Sequence, residues 1–362
     1  MKFMIRADAS IEIGTGHVMR SLALADYLHE RGAEVTFISR RLSGHVAELI
    51  ENKGFEVKLL KPDNVGFSLK RDAEETTRIV EGLGGCDCLI VDNYLLNAKW
   101  ERAVRGVTKR LFVTDDLARV HDCDGLLDQN FHIQMERRYE GRVPAECKLF
   151  LGPEYALLRR EFEEERRHLS PKNGEIRRIL VNFGGSDAND ATSIAIEACN
   201  EVFAGKHVEI IVVAGVANPH KDKLTRLCST ISSPLFVYHE QVFNMAKLMR
   251  ESDLAIGAGG SSHWERCFLG LPALVITTAA NQVEITRAVA FRGACVYVGD
   301  AEMEERALIR QKLTDSLAQL AQMPYKLREL SQQAMALMPN RDGFYAMLEW
   351  LTMSNSSISE LC

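Results

Sequence analysis

The sequence lacks the features that mark several large classes of protein. Its 362 residues carry a net charge of −6 and contain no long basic stretch and no patch in which aromatic residues alternate with Lys and Arg. Nucleic-acid binders use such surfaces to neutralise phosphates, so we expect no nucleic-acid partner. No window reaches the roughly 18 apolar residues of a membrane span, and the first residues lack the apolar core of a signal peptide. We therefore predict a cytoplasmic protein without a membrane partner, and the pattern assigns no oligomeric state.

The cysteines do not form a recognisable metal or disulfide motif. There are nine, an odd number, and they are scattered through apolar segments. This is typical of reduced core residues in a cytosolic protein. Only Cys86 and Cys88 are close together, and their one-residue gap without a second pair does not match a zinc site. We predict neither a metal site nor a cofactor.

Length and composition predict two α/β domains. The chain is 46% hydrophobic and 26% charged, which is typical of globular proteins. Strand and helix patterns alternate along both halves, which predicts two Rossmann-like domains, each built on a parallel, doubly wound sheet. Residues 170–174 break any helix, so we place the boundary near residue 172, giving domains 1–172 and 173–340. Residues 341–362 form a C-terminal segment whose helix, predicted over 343–353, can pack back across the domain junction.

The most informative stretch is at the start of the chain, where residues 2–7 are predicted as a strand, 8–16 as a loop and 17–28 as a helix. Gly14 and Gly16 let the backbone turn tightly and bring His17 to the first helical turn. The positive end of the helix dipole disfavours imidazolium there. We predict a partly exposed, neutral His17 that accepts a proton from water or a hydroxyl; the alternative is a histidine that only caps or packs the helix.

The same loop does not match a dinucleotide-binding fingerprint. Met19 stands where the third glycine would be, and residues 8–13 make the loop too long. We therefore exclude a nicotinamide site at this position.

Polar residues follow two other predicted strands of the first half: Asp92, Asn93, Tyr94, Asp115 and Asp116. The carboxyl ends of parallel strands meet at one edge of a sheet, which is the usual ligand side. We expect these side chains near His17, although each alone could serve as a helix cap or turn former.

Two glycine-rich turns stand out in the second half, at residues 183–187 and 257–262, and each connects a predicted strand to a helix. Glycines expose consecutive N–H groups and helix N-termini add positive charge, so together they can hold a diphosphate without a metal. Either turn could also be simple strand–helix packing. Glu265, one turn into the second helix, could accept the two ribose hydroxyls or could merely stabilise the helix terminus.

Short stretches of the first half form a specific set: residues 6–10, 13–20, 91–94 with 100–101, 115–118, 121–124, 126–130 and 151–159. Together they resemble the UDP-sugar hydrolases of pseudaminic acid biosynthesis, which remove UDP from UDP-2,4-diacetamido-2,4,6-trideoxy-β-L-altropyranose. Asn93 departs from this family, which usually has a histidine there.

The second half is similar to the peptidoglycan N-acetylglucosaminyltransferase superfamily, through residues 184–186, 245–246, 252–253, 265, 270–272 and 281–282. The resemblance implies the two-domain glycosyltransferase-B architecture, with UDP held mainly by the second domain.

The resemblance also implies roles for individual residues. His17 would act as general base on a water that attacks the anomeric carbon with inversion, and UDP would leave without a metal. The implied residues for positioning the sugar or water are Gly14, Thr15, Gly16, Arg20, Tyr94, Asn281 and Gln282. Those implied for UDP are Arg159, Gly184, Gly185, Ser186, Val242, Gly260, Ser261, Ser262 and Glu265. The family further implies a role in flagellin glycosylation.

Two alternatives stay open. An inverting UDP-sugar glycosyltransferase would use the same base on a sugar or lipid hydroxyl, although no membrane-docking patch is evident in the sequence. A non-enzymatic UDP-sugar-binding protein would need the glycine turns but no base.

Overall fold

The structure is a computed structural model that describes residues 1–61 and 66–353. The chain folds into two compact units. Met1–Leu158 and the residues from Asn340 on form the first unit, and Arg159–Pro339 form the second. The boundary therefore lies after Leu158, whereas we had predicted it near residue 172. The C-terminal segment that we predicted as 341–362 is described only to Met353, so Cys362 lies outside the described residues.

The early boundary follows from the burial of residues just before it. Ala156 and Leu158 are buried in the first unit, and the Leu157 N–H donates to the Gln129 side chain over 3.0 Å. These residues are not helical, and the helix that follows them is limited to Arg160–Arg166. The guanidinium of Arg166 donates to backbone carbonyls of the second unit.

The first unit contains a seven-stranded sheet in the order β3-β2-β1-β4-β5-β6-β7, and its strand pairs are parallel. Its strands and helices are β1 Lys2–Ala7, α1 Gly16–Glu30, β2 Glu34–Arg40, α2 Ala47–Asn52, β3 Glu56–Leu60, α3 Leu69–Gly82, β4 Cys88–Asp92, α4 Ala98–Val104, β5 Leu111–Thr114, β6 Gly125–Asp128 and β7 Lys148–Leu151. The predicted alternation of strands and helices is confirmed in this unit, and β6 is a strand that the sequence pattern did not indicate.

The central strands are mostly apolar because both faces of the sheet are covered. In β1, Phe3 and Ile5 face the core formed with α1, whereas Met4 faces the core that contains Trp100. This alternation is the period of two expected for a strand.

The second unit contains a six-stranded sheet in the order β10-β9-β8-β11-β12-β13, whose pairs are again parallel. Its elements are α5 Arg160–Arg166, β8 Arg178–Asn182, α6 Ala191–Phe203, β9 Glu209–Ala214, α7 Lys221–Thr230, β10 Leu235–Glu240, α8 Met245–Glu251, β11 Leu254–Gly257, α9 Ser262–Phe268, β12 Ala273–Thr277, α10 Val283–Phe291, β13 Val296–Asp300, α11 Arg306–Gln322 and α12 Pro324–Leu337.

The last described helix, α13 Asp342–Thr352, belongs to the first unit. Phe344 packs against Tyr27 of α1 with ring centroids 4.7 Å apart. Arg110 donates to the carbonyls of Trp350 and Leu351, over 2.6 and 3.1 Å, and so satisfies part of the C-terminus of α13.

In each sheet the strand order reverses at one point, between β1 and β4 in the first unit and between β8 and β11 in the second. Ligands of open α/β sheets bind beyond the carboxyl ends of the strands at such a point. The loop that precedes His17 follows β1. The two glycine-rich turns follow β8 and β11, the two strands at the reversal point of the second sheet. Among the described residues, no helix has both the length and the apolar character to cross a bilayer.

Candidate active site

The loop after β1 delivers His17 to the start of α1. Gly14 closes a tight turn by donating its N–H to the Ser10 carbonyl over 2.9 Å, with a φ of +77° that favours glycine. Thr15 precedes the helix without a side-chain capping bond, and α1 begins at Gly16. The predicted order of strand, glycine turn and helix is confirmed.

His17 is more buried than we predicted. Only 8% of its surface is exposed. Its Nδ1 atom lies 2.6 Å from Oδ1 of Asp92, the last residue of β4, and the Tyr94 ring packs edge-to-face against it with centroids 4.5 Å apart. The expectation of partial exposure was wrong because both partners, at the end of β4 and in the loop after it, are remote from His17 in sequence.

Arg20, one turn after His17 on α1, binds the same carboxylate. Its Nε and Nη2 atoms donate to Oδ2 and Oδ1 of Asp92, each over 2.6 Å. Its remaining nitrogen, Nη1, lies 3.4 Å from Oδ2 of Asp116. A planar guanidinium that binds a carboxylate with two parallel bonds fixes the orientation of both groups.

These contacts determine which nitrogen of His17 carries the hydrogen. Burial alone would raise the pKa of the Asp92 carboxyl, but the adjacent Arg20 guanidinium and His17 hold that pKa well below its usual range. An ionised carboxylate only accepts hydrogen bonds, so the Nδ1 that faces it carries the hydrogen. In the neutral form of a ring with this tautomer, Nε2 keeps its lone pair and can accept a proton.

A second buried network connects the ends of β1 and β4, and we did not predict it from the sequence. Arg6 donates to Asp8 over 2.6 and 3.0 Å and to Asp72 over 2.6 Å. Burial raises the pKa of Asp8, but Arg6 and Arg40 together hold it well below its usual range. Arg6 and Asp8 are two residues apart and so share one face of the chain, which is the one sequence signal for this pair.

Asn93 belongs to this second network. Its Nδ2 donates to Oδ2 of Asp8 over 2.7 Å, and its Oδ1 accepts the Leu95 N–H over 2.9 Å. Asn93 therefore ties the loop after β4 to the end of β1.

The two aspartates after β5 have separate environments. Asp116 joins the His17 site through Arg20. Asp115 is buried and binds Arg119 over 2.6 Å and the Tyr139 hydroxyl over 3.0 Å. Asp115 also contacts His121, whose pKa is raised to about 9 because its two carboxylate neighbours outweigh its burial. Of the polar residues that we predicted at this edge, Asp92, Tyr94 and Asp116 meet around His17, and Asp115 does not.

The first glycine turn of the second unit follows β8. Gly184 has a φ of +85°. The Gly185 backbone lies so close to Gly215 that a Cβ on residue 215 would overlap the Gly185 backbone. Asp187 accepts the N–H groups of the first two residues of α6 over 2.9 and 3.0 Å. The idea that this helix terminus receives the diphosphate charge is therefore wrong, because the Asp187 carboxylate occupies it. An anion at this turn would be bound by the N–H groups of Gly184, Gly185 and Ser186 themselves.

The second glycine turn, residues 257–262, is held by Gln282. The Gln282 Oε1 accepts the N–H of Gly259 over 3.2 Å and that of Thr278 over 3.0 Å. A Cβ at Gly259 would overlap the Thr286 hydroxyl, so only glycine fits there. Asn281, which we predicted beside Gln282 for substrate positioning, is exposed.

The turn leads through half-buried Gly260 and exposed Ser261 into α9, which begins at Ser262. Arg159 donates to Oε1 of Glu265 over 3.1 Å, so two residues that we predicted for UDP are in contact. Val242, which the resemblance implied for UDP, is half-buried in the loop before α8.

The chain is similar in sequence to several known proteins. Residues 179–342 match the family model of the glycosyltransferase family 28 C-terminal domain. The uncharacterized protein MJ1062 of Methanocaldococcus jannaschii is 28% identical over 281 residues, which are 76% of this chain but only 55% of that protein. The UDP-2,4-diacetamido-2,4,6-trideoxy-beta-L-altropyranose hydrolase of Campylobacter jejuni is 28% identical over 284 residues, which are 78% of this chain and 93% of the relative.

Among solved structures, MurG of Acinetobacter baumannii is similar with a TM-score of 0.64 and 14% sequence identity, over 97% of this chain and 99% of that one. At this identity the likeness concerns the fold. The chain has the glycosyltransferase-B fold, with two Rossmann-like domains, and its second domain is similar to those of glycosyltransferase family 28.

Proposed function

We propose that this protein hydrolyses a UDP-sugar, and that the substrate is UDP-2,4-diacetamido-2,4,6-trideoxy-β-L-altropyranose. The products are the free sugar and UDP, and the reaction belongs to pseudaminic acid biosynthesis. The observation that carries the proposal is the contact of His17 with Asp92. It supports a base at Nε2, because a hydrogen on Nδ1 that faces the carboxylate leaves the Nε2 lone pair of a neutral ring available. The likeness to the Campylobacter jejuni hydrolase supports the choice of substrate.

In this mechanism Nε2 of His17 takes a proton from water while the water oxygen attacks the anomeric carbon. The bond from that carbon to the UDP oxygen breaks, and its electron pair leaves with UDP. A single displacement inverts the anomeric configuration. General base catalysis contributes on the order of 10²–10⁴-fold to the rate, and holding water and carbon in register adds to it.

The second unit binds UDP in this proposal. The N–H groups of the two glycine turns receive the diphosphate charge without a metal. Glu265 accepts the ribose hydroxyls, and Arg159, which contacts Glu265 in the structure, keeps that carboxylate in place.

The test is to incubate the purified protein with the UDP-sugar in ¹⁸O-labelled water without any acceptor. We expect UDP that contains no ¹⁸O, and NMR spectra taken early should show a sugar of inverted anomeric configuration. Release of ¹⁸O-labelled UDP would show cleavage at phosphorus and contradict the mechanism. Absence of turnover with this and related UDP-sugars would contradict the function.

The competing function is an inverting glycosyltransferase, which the match of residues 179–342 to a glycosyltransferase domain favours. It would use the same His17 base on a hydroxyl. Release of UDP that begins only when an acceptor sugar or lipid is added would establish this alternative.

A further inference from the structure

Arg20 lies between two carboxylates at the His17 site. It binds Asp92 through two bonds of 2.6 Å and lies 3.4 Å from Asp116. The side chains of all three residues are no more than 9% exposed. Solvent therefore screens these charges weakly, and the Arg20 charge neutralises the Asp92 carboxylate, to which it is bound by the two short bonds, next to the His17 ring.

We propose that Arg20 is a positioning residue that supplies the positive charge which a proton on His17 would otherwise supply. This proposal rests on the proposed function, because an unprotonated Nε2 matters only if His17 is a base. Arg20 acts through Asp92, since its guanidinium faces inward to the two carboxylates.

The reason is the cost of leaving Asp92 ionised and unpaired in a buried site. Without Arg20, the pair of Asp92 and His17 would take up one proton. If the proton goes to Asp92, the new O–H donates to Nδ1, and the ring hydrogen moves to Nε2. If it goes to the ring, both nitrogens carry hydrogen. Both arrangements place a hydrogen on Nε2 and remove the base.

The geometry also shows how the ring tautomer is fixed. Nη2 of Arg20 lies 3.1 Å from Nδ1 of His17 and could donate to it if Nδ1 carried no hydrogen. That arrangement would direct the Nδ1 lone pair at Oδ1 of Asp92 only 2.6 Å away, where two acceptors repel. Asp92 therefore imposes the Nδ1–H form, and Arg20 keeps Asp92 ionised so that it can do so. Tyr94, packed on the ring, and Asp116, on the far side of Arg20, complete the groups around His17.

The test is NMR of protein labelled with ¹⁵N at its ten histidines, with the His17 signal identified by its loss in His17→Asn. In the wild type, the correlation of ring nitrogens with ring hydrogens should show that Nδ1 is protonated and Nε2 is unprotonated near neutral pH. Arg20→Met should show a protonated Nε2. Arg20→Lys keeps the positive charge but lacks the planar guanidinium. Its Nε2 should therefore be unprotonated, as in the wild type, even if its turnover is lower.

Arg110→Met is the matched control, because Arg110 is also buried in the first unit but donates to carbonyls of α13. It should leave the His17 signal unchanged. An unprotonated Nε2 in Arg20→Met, or a protonated Nε2 in the wild type, would overturn the proposal. If Arg20→Met does not fold, a protonated Nε2 in Arg20→Lys would overturn it equally.

Turnover gives a separate readout. In Arg20→Met, hydrolysis should fall at least about 10²-fold near neutral pH and recover as the pH is raised, because hydroxide then removes the extra proton from His17. A purely structural role for Arg20 would give a loss that does not depend on pH. If the wild type shows the expected NMR signature but hydrolyses no UDP-sugar, the proposed function fails while the charge role of Arg20 stands.

Discussion

Replacing Asp92 with asparagine tests the His17 site with almost no change of shape. The carboxylate accepts three hydrogen bonds in the structure, two from Arg20 and one from Nδ1 of His17. An amide offers one oxygen, so its NH₂ group must face either a donor of Arg20 or Nδ1. If it faces Nδ1, it donates to that atom and moves the ring hydrogen to Nε2, where it blocks the base.

The expected loss of turnover is about 10²–10⁴-fold, equal to about 3–5 kcal/mol in the activation free energy. Breaking a buried ion pair also destabilises a protein, typically by about 3–5 kcal/mol. Because Asp116 remains beside Arg20, we expect the lower end, about 3 kcal/mol in the free energy of unfolding. Initial rates of UDP release measure the first effect, and urea unfolding measures the second.

Asp122→Asn is the matched control, because Asp122 also binds arginines, at 3.3 Å from Arg102 and 3.0 Å from Arg105, but is partly exposed and does not contact His17. It should keep the wild-type rate. Wild-type turnover by folded Asp92→Asn would refute the assignment of the Nδ1–H form and with it the base at Nε2.

Four further predictions follow from the same contacts. His17→Asn should lower turnover at least about 10²-fold while calorimetry finds UDP affinity nearly unchanged, and near-normal turnover would exclude this base. Glu265→Ala should weaken UDP binding by roughly 1.5–3 kcal/mol if both ribose bonds are lost, whereas unchanged affinity in a folded variant would remove Glu265 from the ribose site. EDTA should leave the rate of hydrolysis unchanged, and loss of activity that Mg²⁺ or Mn²⁺ restores would contradict the metal-free account. The depressed pKa values of Asp8 and Asp92 should stabilise the fold above about pH 4 and lose that effect as the pH falls further; urea unfolding at several pH values should therefore show a weaker acid dependence in Asp8→Asn.

Much of the fold could be predicted because its signals are local. The apolar strands, the turn at Gly14 and the helix that begins at Gly16 each depend on neighbouring residues whose spacing is visible in the chain. The strand β6 was missed because only two apolar residues lie between its glycine and its aspartate, and both of these residue types are rare in strands. The domain boundary was misplaced because helix breakers at residues 170–174 are local, whereas the burial of Leu158 in the first unit depends on distant partners.

The candidate site likewise has features that the sequence shows and features that depend on the tertiary structure. The sequence by itself determined that a histidine stands at a helix N-terminus after a glycine turn and that carboxylates follow other strands. Only the tertiary structure decided that Asp92, 75 positions away, meets Nδ1 of His17 and that Arg20 holds it there. The physical reason is that a hydrogen bond or ion pair depends on the distance between two groups in space, and the order of strands in the sheet, with β1 beside β4, brings residues together that no sequence pattern connects.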